Sequence, residues 1–283
     1  MISPLRQMLL GAGAALAAVF SGMQAGAAPL KPGSGWLRPD GHWALKMPVC
    51  VLLAGDSLME SLGPQMRDAL SGYKNLTFIT AGKKSTGLSR SDYYDWPRVM
   101  EEHLRKERPN LVVMWVGTND PQGIYGKTGL GEPGSKEWQK AYLGKIYEIF
   151  ALAHRYKARL ILMGPPTVAD SKLDEQLAMI NRLMDWACKA WEKKYHSGVC
   201  YVDTRAILGS ASGQYISVGA LPNGSVARLR TSDGVHITAD GNKRVMHYLL
   251  PHISQELRRC FDTQGRAVYG GRPRGAVLSG RGK

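Results

Sequence analysis

Apolar residues along this chain gather in five short runs, separated by longer stretches with helical spacing. The runs at 49–54 (VCVLLA), 76–80, 111–116 (LVVMWV), 159–163 and 199–202 are short and rich in β-branched and aliphatic residues. They predict buried strands. Between and after them, the spacing predicts helices over 64–70, 97–107, 136–157, 172–196 and 239–258. Pro64 suits the first position of its helix, where a missing N–H costs nothing, and Ser171 is placed to cap the helix that follows it. Regular alternation of strand and helix implies an α/β chain, a three-layer α/β/α sandwich with a central, mostly parallel five-stranded sheet. In such sheets a ligand sits beyond the C-terminal ends of the strands.

Two segments interrupt the rhythm. Residues 121–135 are Gly-rich and follow the third strand; residues 208–230 are rich in Gly and Ser. Both are long enough to be functional loops. The ends differ from the middle. Within 1–27, Arg6 is the sole charge, 8–20 is an apolar run, and Ala25-Gly26-Ala27 offers a small-x-small site, the pattern of a secretory signal peptide. That run is shorter than the roughly 20 residues of a membrane span. Residues 28–47 form an N-terminal extension and 48–261 the folded domain. Residues 262–283 combine Arg266, Arg272, Arg274, Arg281 and Lys283 with many glycines, which predicts a disordered basic tail. The chain is therefore expected to be periplasmic or secreted, with no stable membrane insertion after cleavage.

A formal net charge of +14 raises the question of an anionic partner. No nucleic-acid motif accompanies it, so it is read as a solvated surface with a basic tail. Export permits disulfides. Cys188, late in a helical stretch, and Cys200, at the start of the next strand, are placed to meet, whereas Cys50 reads as a buried thiol. Pairing among these and Cys260 stays open. His42, His103, His154, His196, His247 and His252 lack metal-ligand spacing, and no nucleotide loop is present. Neither a metal nor another cofactor is expected.

The strand ends carry the chemistry. The first strand runs into Gly55-Asp56-Ser57-Leu58, which places a serine at the sheet edge beside a glycine that permits a tight turn. A serine hydroxyl becomes a useful nucleophile when a neighbouring base takes its proton. The third strand runs into Gly117-Thr118-Asn119-Asp120, where the Asn119 amide can donate to an oxyanion. Ser232-Asp233-Gly234-Val235-His236 then pairs a histidine with an aspartate three residues earlier, the carboxylate–imidazole half of a triad. Each segment alone is a common loop sequence. Asp56 and Asp120 are read as structural. Trp96, with Tyr93 and Tyr94, is the candidate for a sugar-binding face; the competing reading packs Trp96 at the start of the helix after Pro97.

Together, and in this order, the three segments resemble the SGNH (GDSL) hydrolases, with the blocks at Gly55 to Leu58, Gly117 to Asp120 and Asp233 to His236. The resemblance covers residues 48 to about 258. The remaining block is a glycine after the second strand; Gly82 and Gly87 both qualify, and Gly87, a loop's length further on, is preferred. The run Lys84-Ser85-Thr86-Gly87-Leu88-Ser89-Arg90 with Asp95-Trp96-Pro97 is similar to a group of bacterial periplasmic proteins, the DUF459 group.

The resemblance implies a flavodoxin-like fold and a serine hydrolase. In it Ser57 is the nucleophile, His236 the base and Asp233 its orienting partner. The backbone N–H groups of Ser57 and Gly87 and the Asn119 amide form the oxyanion hole. It also implies an acylated glycan, or another small ester, as substrate. A glycan O-acyltransferase with the same triad and a catalytically inert glycan-binding protein are the alternatives.

Overall fold

The computed structural model describes residues 48–71, 75–123, 131–196 and 198–260. The segments read as leader (1–27), extension (28–47) and basic tail (262–283) lie outside the described residues.

Five strands form one sheet in the order β2-β1-β3-β4-β5: β1 (Val49–Gly55), β2 (Leu76–Gly82), β3 (Leu111–Trp115), β4 (Arg159–Met163) and β5 (Val199–Val202). All four ladders are parallel. Successive side chains on the central strands enter two separate cores, as the pleat requires. Leu52, Ala54, Val112, Met114, Leu160 and Leu162 pack with α2 (Trp96–Glu107), α3 (Lys136–Arg155) and α4 (Ser171–Tyr195). Val51, Leu53, Val113, Trp115, Ile161 and Met163 pack with α1 (Ser57–Ala69), α5 (Thr204–Leu208) and α6 (Ala239–Arg258). Full burial of one such side chain contributes roughly 1.5–3 kcal/mol. A polar residue on either face would forfeit this and add a desolvation cost, which is why β1 and β3, at the centre of the sheet, carry no charged residue.

Two helix starts differ from those that Pro64 and Ser171 predict. The first helix begins at Ser57, and Pro64 lies inside it. Its start is set by Asp56, whose carboxyl accepts from the Leu58 N–H at 2.9 Å. The helix tolerates the lost Pro64 donor because Leu58, Met59, Leu62 and Met66 bury one face in the second core. At the fourth helix the cap is Asp170, accepting from the Leu173 N–H at 2.7 Å, and Ser171 is the first helical residue.

The loop expected over 208–230 contains an antiparallel hairpin, β6 (Val218–Ala220) with β7 (Val226–Arg228). Cys188 and Cys200 do not pair; both are thiols. Burial pushes the Cys200 thiol up to about 12, so it stays protonated at neutral pH. No helix among the described residues is long and apolar enough to cross a membrane.

Candidate active site

Three segments converge beyond the C-terminal ends of β1 and β3. The first is the turn after β1. Gly55 has φ +152°, and a Cβ there would lie 2.0 Å from the Trp115 carbonyl oxygen. Only glycine lets the chain leave the sheet at this angle. Asp56, fully buried, caps α1, and Ser57 becomes the first helical residue. The Ser57 N–H therefore has no intrahelical acceptor, and it stands in the positive end of the helix dipole.

The second segment follows β3 and delivers Asn119, whose Nδ2 donates to the Thr86 carbonyl at 2.9 Å. One amide hydrogen is thus fixed, and the other is left to the cleft that Asn119 lines. The third is the irregular stretch 229–238 between β7 and α6. There Asp233 Oδ1 accepts from the backbone N–H groups of Val235 and His236 at 2.8 and 2.9 Å and from Thr231 Oγ1 at 2.6 Å. Asp233 Oδ2 lies 2.7 Å from His236 Nδ1. An ionised carboxylate only accepts, so Nδ1 carries the proton. Nε2 is then the acceptor, 3.0 Å from the Ser57 hydroxyl.

Electrostatics separate the rim from the floor. Partial burial pulls the Asp233 carboxyl upward, but its hydrogen bonds from Thr231, His236 and the backbone outweigh this and hold it well below the ordinary carboxylate range. Beneath the rim lie two buried carboxyls. Desolvation pushes Asp56 up to about 7, with the nearby Asp120 charge adding to the rise. One Asp56 oxygen is buried without a hydrogen-bond partner among the described residues. Asp120 is raised too, chiefly by burial. Its oxygens accept from Ser89 N–H at 2.9 Å, Ser89 Oγ at 3.0 Å and Tyr142 Oη at 2.7 Å. Each carboxyl neighbours a rim residue in sequence, Asp56 beside Ser57 and Asp120 beside Asn119, so the pair anchors both rim residues from below.

Two expectations drawn from the sequence need correction. Gly87 does not present its N–H beside Asn119. Because the Thr86 carbonyl faces Asn119 and no described peptide bond is cis, the Gly87 N–H points the opposite way. Gly87 is buried, and a Cβ on it would reach 2.1 Å from Asp120 Oδ1, so glycine is needed here for packing. Trp96 does not line a sugar face. It is fully buried, and its Nε1 donates to Thr86 Oγ1 at 3.0 Å. What this tryptophan shapes is the loop that receives Asn119.

The open cleft above the serine has a volume of about 440 Å³. Glu60, Ser61, Lys84 and Ser85 complete its wall with Ser57, Asn119 and His236, and among the described residues no apolar side chain lines it. Nothing in the sequence pattern singles out Lys84 and Ser85 as cleft walls. A signal for Glu60 and Ser61 exists in their place in the first turn after the nucleophile, but a helix start at Pro64 hides it.

The fold is shared with several solved proteins. One is a GDSL-like lipase from Bacteroides thetaiotaomicron, at 20% identity and a TM-score of 0.52 over 76% of this chain and 93% of that one. A carbohydrate esterase family 3 protein from Talaromyces cellulolyticus matches at 14% identity and a TM-score of 0.51 over 75% and 99%. A carbohydrate acetylesterase family member from Sinorhizobium meliloti matches at 17% identity and a TM-score of 0.50 over 74% and 99%. No curated protein matches the sequence. The chain belongs to the family described as protein of unknown function (DUF459), whose model matches residues 50–252.

Proposed function

We propose that this chain is an exported serine esterase that hydrolyses an O-acyl ester, of acetyl type, on a cell-envelope or extracellular glycan. The observation that carries the reading is the continuous relay from Ser57 Oγ to His236 Nε2 (3.0 Å) and from His236 Nδ1 to Asp233 Oδ2 (2.7 Å).

In this mechanism His236 takes the hydroxyl proton as Ser57 Oγ attacks the ester carbonyl. Asp233 holds the imidazole in the tautomer that leaves Nε2 free to accept, and it stabilises the imidazolium that forms. The oxyanion meets the Ser57 N–H and the free Asn119 amide hydrogen, both fixed before substrate arrives. The imidazolium then protonates the departing alcohol. Water, activated by the same histidine, resolves the acyl-enzyme and regenerates Ser57.

Three features support the substrate class. The cleft is open and its described lining carries only polar and charged side chains, which suits a short acyl group on a hydroxyl-rich alcohol better than a fatty chain. Two proteins of the same fold bear carbohydrate esterase names. The N-terminal 27 residues read as an export signal.

The test is turnover of p-nitrophenyl acetate and release of acetate from acetylated wall glycans by the full chain and by Ser57→Ala. The variant is expected to lose about 10⁴-fold or more in kcat. Equal turnover by the two proteins rejects Ser57 as nucleophile. Acyl transfer to added sugar in place of acetate release assigns the chain to the acyltransferases.

A further inference from the structure

Arg230 is a buried cation with no direct ion pair among the described residues; the nearby Asp233 and Asp174 carboxylates act on it only through space. Its side chain is fully buried, and Nε and Nη1 have no hydrogen-bond partner among the described residues. Its Nη2 makes two contacts, both to backbone oxygen: the carbonyl of Thr167, in the loop after β4, and the carbonyl of Val235 at 2.9 Å. The Tyr215 ring lies over the guanidinium, 5.4 Å from its carbon. Burial pushes Arg230 down to about 10, so it remains charged at neutral pH. A buried guanidinium this poorly paired is a costly choice for packing alone.

Val235 immediately precedes His236, and its N–H is one of the Asp233 donors. Arg230 therefore grips the peptide that leads into the imidazole. The stretch carrying Asp233 and His236 has no helix or sheet of its own beyond a single bridge between Arg230 and Ile237. One further tether holds it to the same neighbour: the Ala169 N–H donates to the Gly234 carbonyl at 3.0 Å. At Gly234, a Cβ would come within 2.4 Å of Ala169 Cβ, so the two backbones press together. Behind Thr167 the loop is itself secured, since Asp174 accepts from the Val168 N–H at 2.9 Å and pairs with Arg205 through both carboxylate oxygens.

We propose that Arg230 is a positioning residue for the base: it clamps the Asp233–His236 stretch to the loop after β4 by bridging the Thr167 and Val235 carbonyls, and so sets the His236 ring at its distance from Ser57. This rests on the serine-hydrolase reading of the site. Arg230 touches neither Ser57 nor the cleft-lining side chains, so its loss acts on the alignment of the relay and leaves substrate binding in place.

The experiment compares wild-type chain, Arg230→Met and Arg230→Lys on p-nitrophenyl acetate, with the low-field proton NMR signal of the His236 Nδ1–H···Asp233 bond followed in each. For Arg230→Met the expected result is a kcat reduced about 10- to 100-fold, KM within twofold of wild type, and a low-field proton broadened or lost. Arg230→Lys, whose single ammonium keeps the charge and reaches one carbonyl, is expected to fall between the two in both readouts. A folded Arg230→Met with wild-type kcat and an unchanged low-field proton overturns the proposal. If Met at 230 prevents folding, Arg230→Lys alone decides: wild-type kcat there overturns the proposal, and a reduced kcat at constant KM supports it. If neither variant folds, arginine at 230 serves the fold and the proposal falls. Wild-type chain that is inert to the ester removes the hydrolase reading itself, an outcome distinct from active wild type with equally active variants.

Discussion

Ser57 stands where a buried strand meets a capped helix, whereas His236 stands in a stretch without regular structure, between a small hairpin and α6. The first is held by backbone ladders, by the Gly55 turn against the Trp115 carbonyl and by the Asp56 cap. The second is held by side chains and single contacts: Asp233 folding back on its own loop, Arg230 from beneath, and Ala169 alongside. One half of the relay is set by architecture, the other by a few fastenings, and the two halves are vulnerable in different ways. Nucleophile placement should survive any single side-chain change that leaves the sheet intact, while the base should be sensitive to changes that never touch substrate.

Variants beneath the rim probe this contrast. The largest stability effect is expected at Asp56. Its carboxyl in the fold sits near 7, above the ordinary value of 3.8, so the folded state binds a proton that the unfolded chain releases. Its contribution is fully present below the unfolded value and is lost as pH rises from about 4 to 7, up to roughly 4 kcal/mol at 1.36 kcal/mol per unit. Asp120 acts in the same direction. Asp233 acts in the opposite one: its hydrogen bonds stabilise the fold above the usual carboxylate range, and the gain is lost as pH falls through that range and below. Denaturant titrations of Asp56→Asn at pH 5 and 7 should give a flatter dependence than wild type. An unchanged slope would show that the buried carboxyls do not take up a proton on folding.

Next in size comes Asn119→Ala, which removes a rim donor and leaves the ladders untouched. The expected loss is about 10²–10³ in kcat, the usual effect of one oxyanion donor. Wild-type kcat in that variant takes Asn119 out of the site. The smallest change is expected for Trp96→Phe, which deletes the hydrogen bond to Thr86 Oγ1. Thermal melts should show a stability loss of about 1 kcal/mol, with kcat within about threefold of wild type. A collapse of glycan binding with unchanged stability would restore Trp96 as a substrate contact.

How far this site is readable in the sequence follows the same division. The central strands show most plainly in the apolar pattern because both their faces are buried, and burial imposes near-unbroken runs, whereas the edge strand β2 exposes Thr77 and Thr80. Ser57 and Asn119 are legible because each lies directly past such a run, and Asp233–His236 because the pair is local. Long-range fastenings leave no period. Nothing near Arg230 in the sequence marks it as bound to Thr167, 63 positions away, and Tyr142 looks like any aromatic on a helix face until it meets Asp120. Pro64 misleads for a physical reason. Proline favours a helix start, yet here the Asp56 cap and the buried face of α1 outweigh one missing hydrogen bond. Gly87 misleads for another: glycine marks close backbone approach, and the partner approached is the buried Asp120 carboxyl, not a substrate.

Whether Ser57 is a nucleophile activated by His236 is decided by reacting the purified full chain with a fluorophosphonate and locating the label by peptide mass spectrometry. A single covalent adduct on Ser57, formed far more slowly in His236→Ala, is the expected result. An unmodified chain, or an adduct on any other residue at an undiminished rate, would contradict it.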